Sequence, residues 1–459
     1  MYVTSLKIEN LRCFKDTALQ FQYPGNLKAA APDLQNINLL LGMNGAGKTT
    51  TLKAIALATL APVITQSGYV PYRLVRRTGS KATQIQEARV TAEVLLHSQD
   101  VNADGTAKRG VTRVEHMTTR ILRIGETERL ESESAMSAGQ QKGAVWHNMF
   151  YENNPAFLVV GYGATRRVED TGRFDASARA KSRLLRYQRV AGLFESDVPL
   201  TPLPVWLPEF KTKNPGRYKQ VVNLINRLLP DEAKFSGVFE NGEYHFEFER
   251  IKIPFGALSD GYRAYIGWIA DLLYHICMGA PSGAKLVDNY GVVLVDEIDL
   301  HLHPEWQRSV ISRVSKALPN LQFVFSTHSP IVAGSLHKEN IFVMETDTTG
   351  ASQVHKYDER IYGLDAEQVL LSSYFNLTTT RAPGFVDELQ SLSKQATEKD
   401  PRAALEIMRK LAGQNEVVRA DNSQAHGLVE KVNRKRSVDN RRSRKKISAK
   451  VKGTTKKKL

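Results

Sequence analysis

The sequence predicts an α/β fold, and three kinds of segment support this prediction. Short, largely apolar runs at residues 37–41, 292–295 and 321–326 have the length and composition of buried strands. Helical periodicity follows such strands at residues 50–60 and 304–318. Elsewhere apolar and polar residues alternate, as they do in half-buried antiparallel strands. We therefore expect a central sheet with helices, joined to a lobe of antiparallel strands.

Residues 42–50, GMNGAGKTT, join the first of these strands to the first helix and match the phosphate-binding loop G-x-x-x-x-G-K-[ST]. Glycine lets the backbone wrap an anion, and the helix start presents free N–H groups and a positive dipole end to phosphate. Lys48 adds a charge near the β and γ phosphates, and Thr49 offers its hydroxyl to Mg²⁺. The plainer alternative is a glycine-rich turn that caps a helix. The predicted nucleotide-binding residues of this loop are Gly42, Asn44, Gly45, Gly47, Lys48, Thr49 and Thr50.

A second candidate nucleotide motif is the run VVLVDE at residues 292–297. Its four apolar residues predict a central strand, and we expect the acids at its carboxyl end to face the phosphate-binding loop. Asp296 is predicted to hold Mg²⁺ through water, and Glu297 to accept a proton from the attacking water. The alternative is an acidic strand end on the surface, which the loop upstream argues against.

Three further polar or glycine positions are candidates for contact with the γ-phosphate. His328 follows the third apolar strand and is predicted to act as a γ-phosphate sensor. Ser259 and Gly261 lie in GALSDGYRA, at the start of an apolar helix. Ser259 either caps this helix or, with the Gly261 N–H, binds the γ-phosphate of a nucleotide held by a second subunit. The second interpretation requires a head-to-tail homodimer with two ATP molecules at its interface.

Antiparallel pairing is expected twice in the first third of the chain. Residues 2–8 should pair with 17–22, and residues 88–98 with 111–124. Residues 61–87 are predicted to be mostly irregular.

Further along the chain, we expect a short buried strand at 157–160 and an inserted lobe at about 168–233. A hairpin is expected about Asn241-Gly242, which is a strong turn signal. Residues 341–344 are predicted to form an edge strand. Helical patterns lie at residues 217–229, 366–373, 384–396 and 402–412.

Charge is unevenly distributed along the 459 residues. The net charge is +15, but residues 431–459 hold 14 Lys or Arg and one acid, Asp439, so the rest of the chain carries only +2. This tail is expected either to bind nucleic acid without sequence preference or to be solvated and without a partner. The two cysteines form no disulfide framework, and no membrane span or signal pattern is evident, so a cytoplasmic location is expected.

Five segments, taken in order over about residues 1–345, resemble the motifs of ABC-class ATPases of the SMC, RecF and OLD-like type. They are YVTSLKIENLRCF, GMNGAGKTT, LSDGYRA, VVLVDEIDLHLHPEWQ and FVFSTHSP. Three others narrow the resemblance to the ATPase components of bacterial two-gene anti-phage systems such as Septu and PARIS. They are GYGATRR, RVAGLF…WL and IYGLDAEQVLLSSYFNLTTTR.

The resemblance implies an ABC-type ATPase head at 1–345, with a P-loop α/β core sheet, an antiparallel β lobe and a helical lobe. A C-terminal helical extension at 346–430 and the basic tail at 431–459 would follow. The resemblance assigns catalysis to Glu297, His328 and Lys48, the metal to Thr49 and Asp296, and the signature acting across subunits to Ser259 and Gly261. The signature reads LSDG, as in SMC-like relatives, and not LSGGQ. Three residues are candidates for the Q-loop residue, and the sequence does not choose among them: Gln140, Gln141 and Arg166.

The implied function is a Mg²⁺-dependent ATPase that forms ATP-sandwich homodimers or higher oligomers. It would regulate a separate effector, a nuclease, in anti-phage defence. One alternative is a RecF-like DNA repair ATPase. A transporter motor subunit is disfavoured by the LSDG signature and the basic tail, and a nuclease in its own right is a further alternative. A fused Toprim nuclease is not expected, because residues 345–459 lack a clear Glu…Asp-x-Asp cluster.

Overall fold

The structure is a computed structural model that describes residues 1–26, 33–77, 85–97, 100, 113–133, 156–168, 185–281, 283–397 and 402–411. The chain divides into two compact units, Met1–Thr378 and Thr379–Leu459. The strands are β1 (Tyr2–Glu9), β2 (Asp16–Gln20), β3 (Ile37–Gly42), β4 (Glu87–Leu96), β5 (Arg113–Ile124), β6 (Thr127–Ser132), β7 (Val159–Tyr162), β8 (Ala233–Glu240), β9 (Glu243–Phe248), β10 (Ile251–Pro254), β11 (Gly291–Val295), β12 (Leu321–Thr327), β13 (Ile341–Thr346) and β14 (Ser352–His355).

The helices include several of a single turn. They are α1 (Lys48–Gln66), α2 (Leu185–Gln188), α3 (Ala191–Phe194), α4 (Leu203–Lys213), α5 (Pro215–Leu228), α6 (Asp260–Gly279), α7 (Pro304–Gln307), α8 (Val310–Ala317), α9 (Pro330–Gly334), α10 (Ala366–Leu371), α11 (Pro383–Thr397) and α12 (402–411). Helices α11 and α12 belong to the second unit, where Lys410 contacts Glu388. No helix in the described ranges is both long enough and apolar enough to cross a membrane.

The central sheet has the strand order β14-β13-β3-β12-β11-β7. Strands β13, β3, β12, β11 and β7 run parallel, and β14 is antiparallel to β13. Every residue of β11 and β12 is buried, as expected for parallel strands that are covered on both faces. Because the carboxyl ends of parallel strands meet at one edge, the segments that follow β3, β12, β11 and β7 lie side by side.

A second sheet, β2-β1-β4-β5-β6, is antiparallel throughout. Helix α1 contacts strands of both sheets, and buried side chains line most of its circumference. The two sheets are also joined by buried side-chain amides. Gln322 of β12 bonds the backbone of Val3 through both its Oε1 and its Nε2, and Asn38 of β3 does the same to Gln22. These bonds satisfy polar groups that would be costly to bury unpaired.

Side chains of alternate residues enter two apolar clusters, one on each face of the central sheet. Val292 and Leu294 share a cluster with α1 and the second sheet. Val293 and Val295 share the other cluster with α4, α5, α6 and the hairpin β8–β9. A core sheet, an antiparallel sheet and a helical layer are thus all present, as the sequence predicted. The helices α4 and α5 within the expected lobe at 168–233 pack directly on the core, and the division into domains stays a prediction.

Three secondary-structure predictions were wrong. The strand at 341–344 is not an edge strand, because β14 pairs outside it. The helix predicted at 304–318 is two helices, interrupted where the Ser309 N–H and hydroxyl both bond the Trp306 carbonyl three residues back. The helix predicted at 50–60 does not end at Leu60, because α1 continues to Gln66. It does so past a distortion at Leu60 that precedes Pro62, the residue without an N–H.

Candidate active site

The predicted phosphate-binding loop leaves β3 at Gly42 and enters α1 at Lys48, two residues before the predicted start of the helix. Gly47 has φ +106°, and a Cβ there would lie 2.5 Å from the Phe14 ring, so both conformation and space require glycine. Asn44 and Gly45 are exposed at the tip of the loop, whereas Thr50 is buried within α1. The loop therefore offers exposed backbone at its tip and a fixed, buried helix start behind it.

The Lys48 ammonium lies inside the loop. Its Nζ donates to the carbonyls of Gly42, at 2.8 Å, and Met43, at 3.1 Å, and lies 2.8 Å from His328 Nε2. Burial lowers the pKa of Lys48, although nearby carboxylates, Asp296 first among them, oppose this shift. Burial, and then the charge of Lys48, lower the pKa of His328 below its usual 6.5. At neutral pH His328 is therefore uncharged, and its Nε2 lone pair accepts from Lys48.

Thr49 and Asp296 meet across the edge of the sheet. Thr49 Oγ1 donates to Asp296 Oδ2 at 2.7 Å, and Ser326 Oγ, from β12, donates to Asp296 Oδ1 at 2.5 Å. A hydroxyl and a carboxylate side by side are oxygen ligands of the kind that Mg²⁺ prefers, and Mg²⁺ usually takes only one or two carboxylates and completes its shell with water and phosphate. The described residues contain no group of three or more His, Cys, Asp or Glu with a metal-binding arrangement. The donor set at Thr49 and Asp296 fits Mg²⁺ without such a group.

Glu297 directly follows Asp296 and has an unusual backbone conformation, with φ +48°. Its N–H donates to Ser326 Oγ at 2.8 Å, and its carbonyl accepts from Arg166 Nη2 at 2.9 Å. Its side chain is half-buried, and among the described residues its carboxylate makes no hydrogen bond. The predicted base is thus held by its backbone, while its carboxylate is available to another group.

Ser259 and Gly261 lie at the start of α6, and no hydrogen bond among the described residues joins them to the loop of their own chain. The Ser259 hydroxyl makes no capping hydrogen bond to α6, so the side chain does not cap the helix. A Cβ at Gly261 would lie 2.8 Å from the His301 carbonyl, which belongs to the segment after Glu297. The start of α6 therefore packs against the segment that leaves the acidic strand end.

Sequence reasoning missed several residues of the site. Ser326 bonds both Asp296 and Glu297, and Thr327 Oγ1 donates to Asp299 Oδ1 at 2.5 Å. The signal available was position, because Ser326 and Thr327 end the strand next to β11. From the sequence, Arg166 is only a Q-loop candidate, and the structure places its guanidinium against the turn at Asp296 and Glu297. The other two candidates, Gln140 and Gln141, lie outside the described residues.

Two family models match the chain. The model described as "AAA domain" matches residues 5–129, and the model described as "AAA domain, putative AbiEii toxin, Type IV TA system" matches residues 164–333. The first spans β1 to β5 with the phosphate-binding loop, and the second spans Ser259, Asp296, Glu297 and His328. Both halves of the candidate site therefore lie in segments that match models of AAA domains.

Several curated proteins are similar in sequence. The Septu protein PtuA of Bacillus mycoides (strain KBAB4) is 25% identical over 380 residues, which is 83% of this chain and 45% of that protein. The Septu protein PtuA of Bacillus thuringiensis is 28% identical over 40% of this chain and 48% of its own length. The "Retron Ec83 probable ATPase" of Escherichia coli is 40% identical over 88 residues, 19% of this chain and 16% of that protein. The chain thus spans less than half the length of each of these relatives.

Among solved structures, the Smc head bound to the C-winged helix domain of ScpA aligns with a TM-score of 0.45 and 14% identity. This alignment covers 77% of this chain and 98% of that chain. The SMC head domain from Thermotoga maritima aligns with a TM-score of 0.41 and 12% identity, over 78% and 100% of the two chains.

Proposed function

We propose, from the premise that this chain is an ATPase of the SMC/RecF/OLD-like type homologous to Septu and retron ATPases, that it binds ATP with Mg²⁺ at residues 42–50 and hydrolyses it. The observation that carries the proposal is the hydrogen bond of 2.7 Å between Thr49 and Asp296. This bond brings the two halves of the site together although 247 residues separate them. A chance glycine-rich turn has no reason to meet an acidic strand end in this way.

Each residue has a distinct task in the proposed reaction. Thr49 and Asp296 would hold Mg²⁺, which would neutralise charge on the β and γ phosphates. The ammonium of Lys48 exchanges the Gly42 and Met43 carbonyls for phosphate oxygens, which are stronger, charged acceptors. The Glu297 carboxylate takes a proton from water as the water oxygen bonds to the γ-phosphorus and the bond to the ADP oxygen breaks. His328, uncharged and beside Lys48, contacts the γ-phosphate as a sensor.

We further propose that two heads close around two ATP molecules, with Ser259 and Gly261 of one subunit at the γ-phosphate bound by the other. Two features support this. The Ser259 hydroxyl has no capping role in its own chain, and α6 is a 20-residue helix whose first N–H groups can stabilise an anion. By resemblance to the two-gene systems, the output of this closure is control of a separate effector, a nuclease, in anti-phage defence.

Replacing Ser259 tests the composite site. We expect Ser259→Arg to bind ATP like the wild-type chain but to lose at least about 90% of its hydrolysis. The bulky cation would occupy the γ-phosphate position across the interface. Steady-state phosphate release and calorimetric ATP binding separate these two effects. Ser393→Arg, which adds the same charge at an exposed helix position, is the control and should hydrolyse ATP normally. Normal ATP turnover by Ser259→Arg would show that Ser259 is not part of the site.

Deleting residues 431–459 tests the nucleic-acid interpretation of the tail. Each phosphate that a Lys or Arg neutralises on B-DNA releases counterions, so log K falls with log salt with a slope of about 0.9 per phosphate. The tail carries +13 and the rest of the chain +2, so the truncated chain should bind DNA weakly and with a much flatter slope. ATP hydrolysis should not change. Replacement of the 14 basic residues by Gln is the length-matched control, and an unchanged slope in both variants would assign DNA binding to the heads.

A further inference from the structure

We infer that Arg166 is a positioning residue that holds the backbone turn at Asp296 and Glu297, and thereby directs the Glu297 carboxylate into the site. This inference rests on the proposed function and specifies what keeps the base in place. It gives Arg166 a role that does not require contact with nucleotide.

The contacts of the Arg166 guanidinium are with two successive carbonyls of the acidic strand end. Nη1 donates to the Asp296 carbonyl at 2.5 Å, and Nη2 donates to the Glu297 carbonyl at 2.9 Å. Nη1 also lies 3.4 Å from the Gly163 carbonyl of its own loop. The planar fork of an arginine can bind two adjacent oxygens at once, which the single ammonium of a lysine cannot do with the same geometry.

Strand pairing brings Arg166 to this turn. β7 pairs in parallel with β11 up to Tyr162 and Val295, and the Asp296 N–H then donates to the Tyr162 carbonyl at 2.9 Å. The loop that starts at Gly163 therefore runs beside the turn that starts at Asp296. Arg166, four residues past the end of β7, reaches back over both carbonyls.

The turn needs support because Glu297 is in the left-handed region, where a Cβ crowds its own backbone. Ser326 supports it from β12, accepting from the Glu297 N–H at 2.8 Å through its hydroxyl, while its carbonyl accepts from the Ile298 N–H at 2.9 Å. Arg166 supports it from the opposite side, that of β7. If the hydrogen bonds of either Ser326 or Arg166 are removed, the backbone at Glu297 can rotate and turn the Glu297 carboxylate away from the position next to Asp296.

The local charge favours this arrangement. Burial lowers the pKa of Arg166 to about 10, and Asp296, Asp299 and Glu297 oppose the shift. The guanidinium therefore stays charged at neutral pH, where its hydrogen bonds to carbonyls are stronger than those of a neutral donor.

The test uses the full chain with Arg166→Gln, Arg166→Lys, and Arg167→Gln as the control at the next, exposed position. We expect Arg166→Gln to lower kcat about 10- to 100-fold, the effect of a misplaced catalytic group, while affinity for a non-hydrolysable ATP analogue changes less than about twofold. Arg166→Lys keeps the charge but not the forked guanidinium, and it should recover part of kcat. This variant also provides the test if Arg166→Gln folds poorly. Arg167→Gln should keep the native rate.

Combination with Glu297→Gln decides whether Arg166 acts through Glu297. If it does, the double variant hydrolyses ATP no more slowly than Glu297→Gln alone. Multiplicative losses, or a kcat of Arg166→Gln equal to that of Arg167→Gln, would overturn the inference and leave the proposed ATPase function standing. Native turnover by Glu297→Gln alone would instead reject Glu297 as the base, and this inference with it.

Discussion

Lys48→Ala is expected to abolish tight ATP binding, with a loss of at least about 100-fold in affinity, or about 2.7 kcal/mol. The ammonium is held inside the loop by the Gly42 and Met43 carbonyls, so it is already in place when phosphate arrives. Alanine removes this ammonium and with it the charge-assisted hydrogen bonds that we propose it makes to phosphate. Calorimetric titration with ATP and Mg²⁺ measures the loss directly.

The control for this experiment is Lys53→Ala, on the same helix. The Lys53 ammonium lies 5.9 Å from the centre of the Phe194 ring, and Lys53 is not one of the predicted nucleotide contacts. Its removal should leave affinity for ATP within about threefold of the wild-type value. Wild-type affinity in Lys48→Ala would reject the assignment of residues 42–50 to phosphate.

Glu297→Gln is expected to keep ATP binding and to slow hydrolysis by at least about 100-fold, the usual contribution of a general base. An amide has nearly the shape of the carboxylate but cannot take the proton from water. The hydrogen bonds of Ser326 and Arg166 to this residue involve only its backbone, so the substitution leaves the turn in place. Single-turnover phosphate release at saturating ATP measures the chemical step.

Glu305→Gln, an exposed acid in the next helix, is the matched control and should turn over at the native rate. The Glu297→Gln variant should also accumulate as an ATP-loaded pair of heads, because the closed state forms and does not decay. Native turnover by Glu297→Gln would mean that another group takes the proton.

The parts of the site that the sequence could predict are those encoded locally. A strand, a glycine-rich loop and a helix follow one another at 37–66, and Asp296 and Glu297 end an apolar run, so residue type and order suffice to indicate them. The Asn241-Gly242 hairpin is likewise specified by two residues and was predicted correctly.

The features that depend on distant partners could not be predicted in this way. Nothing in 341–344 indicates that β14 will pair outside it, because the composition of a strand reports burial and not its neighbours. Arg166 bonds carbonyls 130 and 131 residues away, and the order of strands that brings them together is a property of the whole sheet. The positive φ of Glu297 could not be predicted from the sequence either, since a left-handed backbone conformation is expected mainly at glycine.

A structure of the Glu297→Gln chain with ATP and Mg²⁺ would show whether two heads close around two nucleotides. We expect two chains with two ATP molecules between them, each with its phosphates on residues 42–50 of one chain and its γ-phosphate at Ser259 of the other. Mg²⁺ should lie at Thr49 and Asp296, and Lys48 Nζ should have left the Gly42 and Met43 carbonyls for phosphate. Nucleotide bound away from residues 42–50, or bound there with Ser259 of every chain remote from the γ-phosphate, would contradict this expectation.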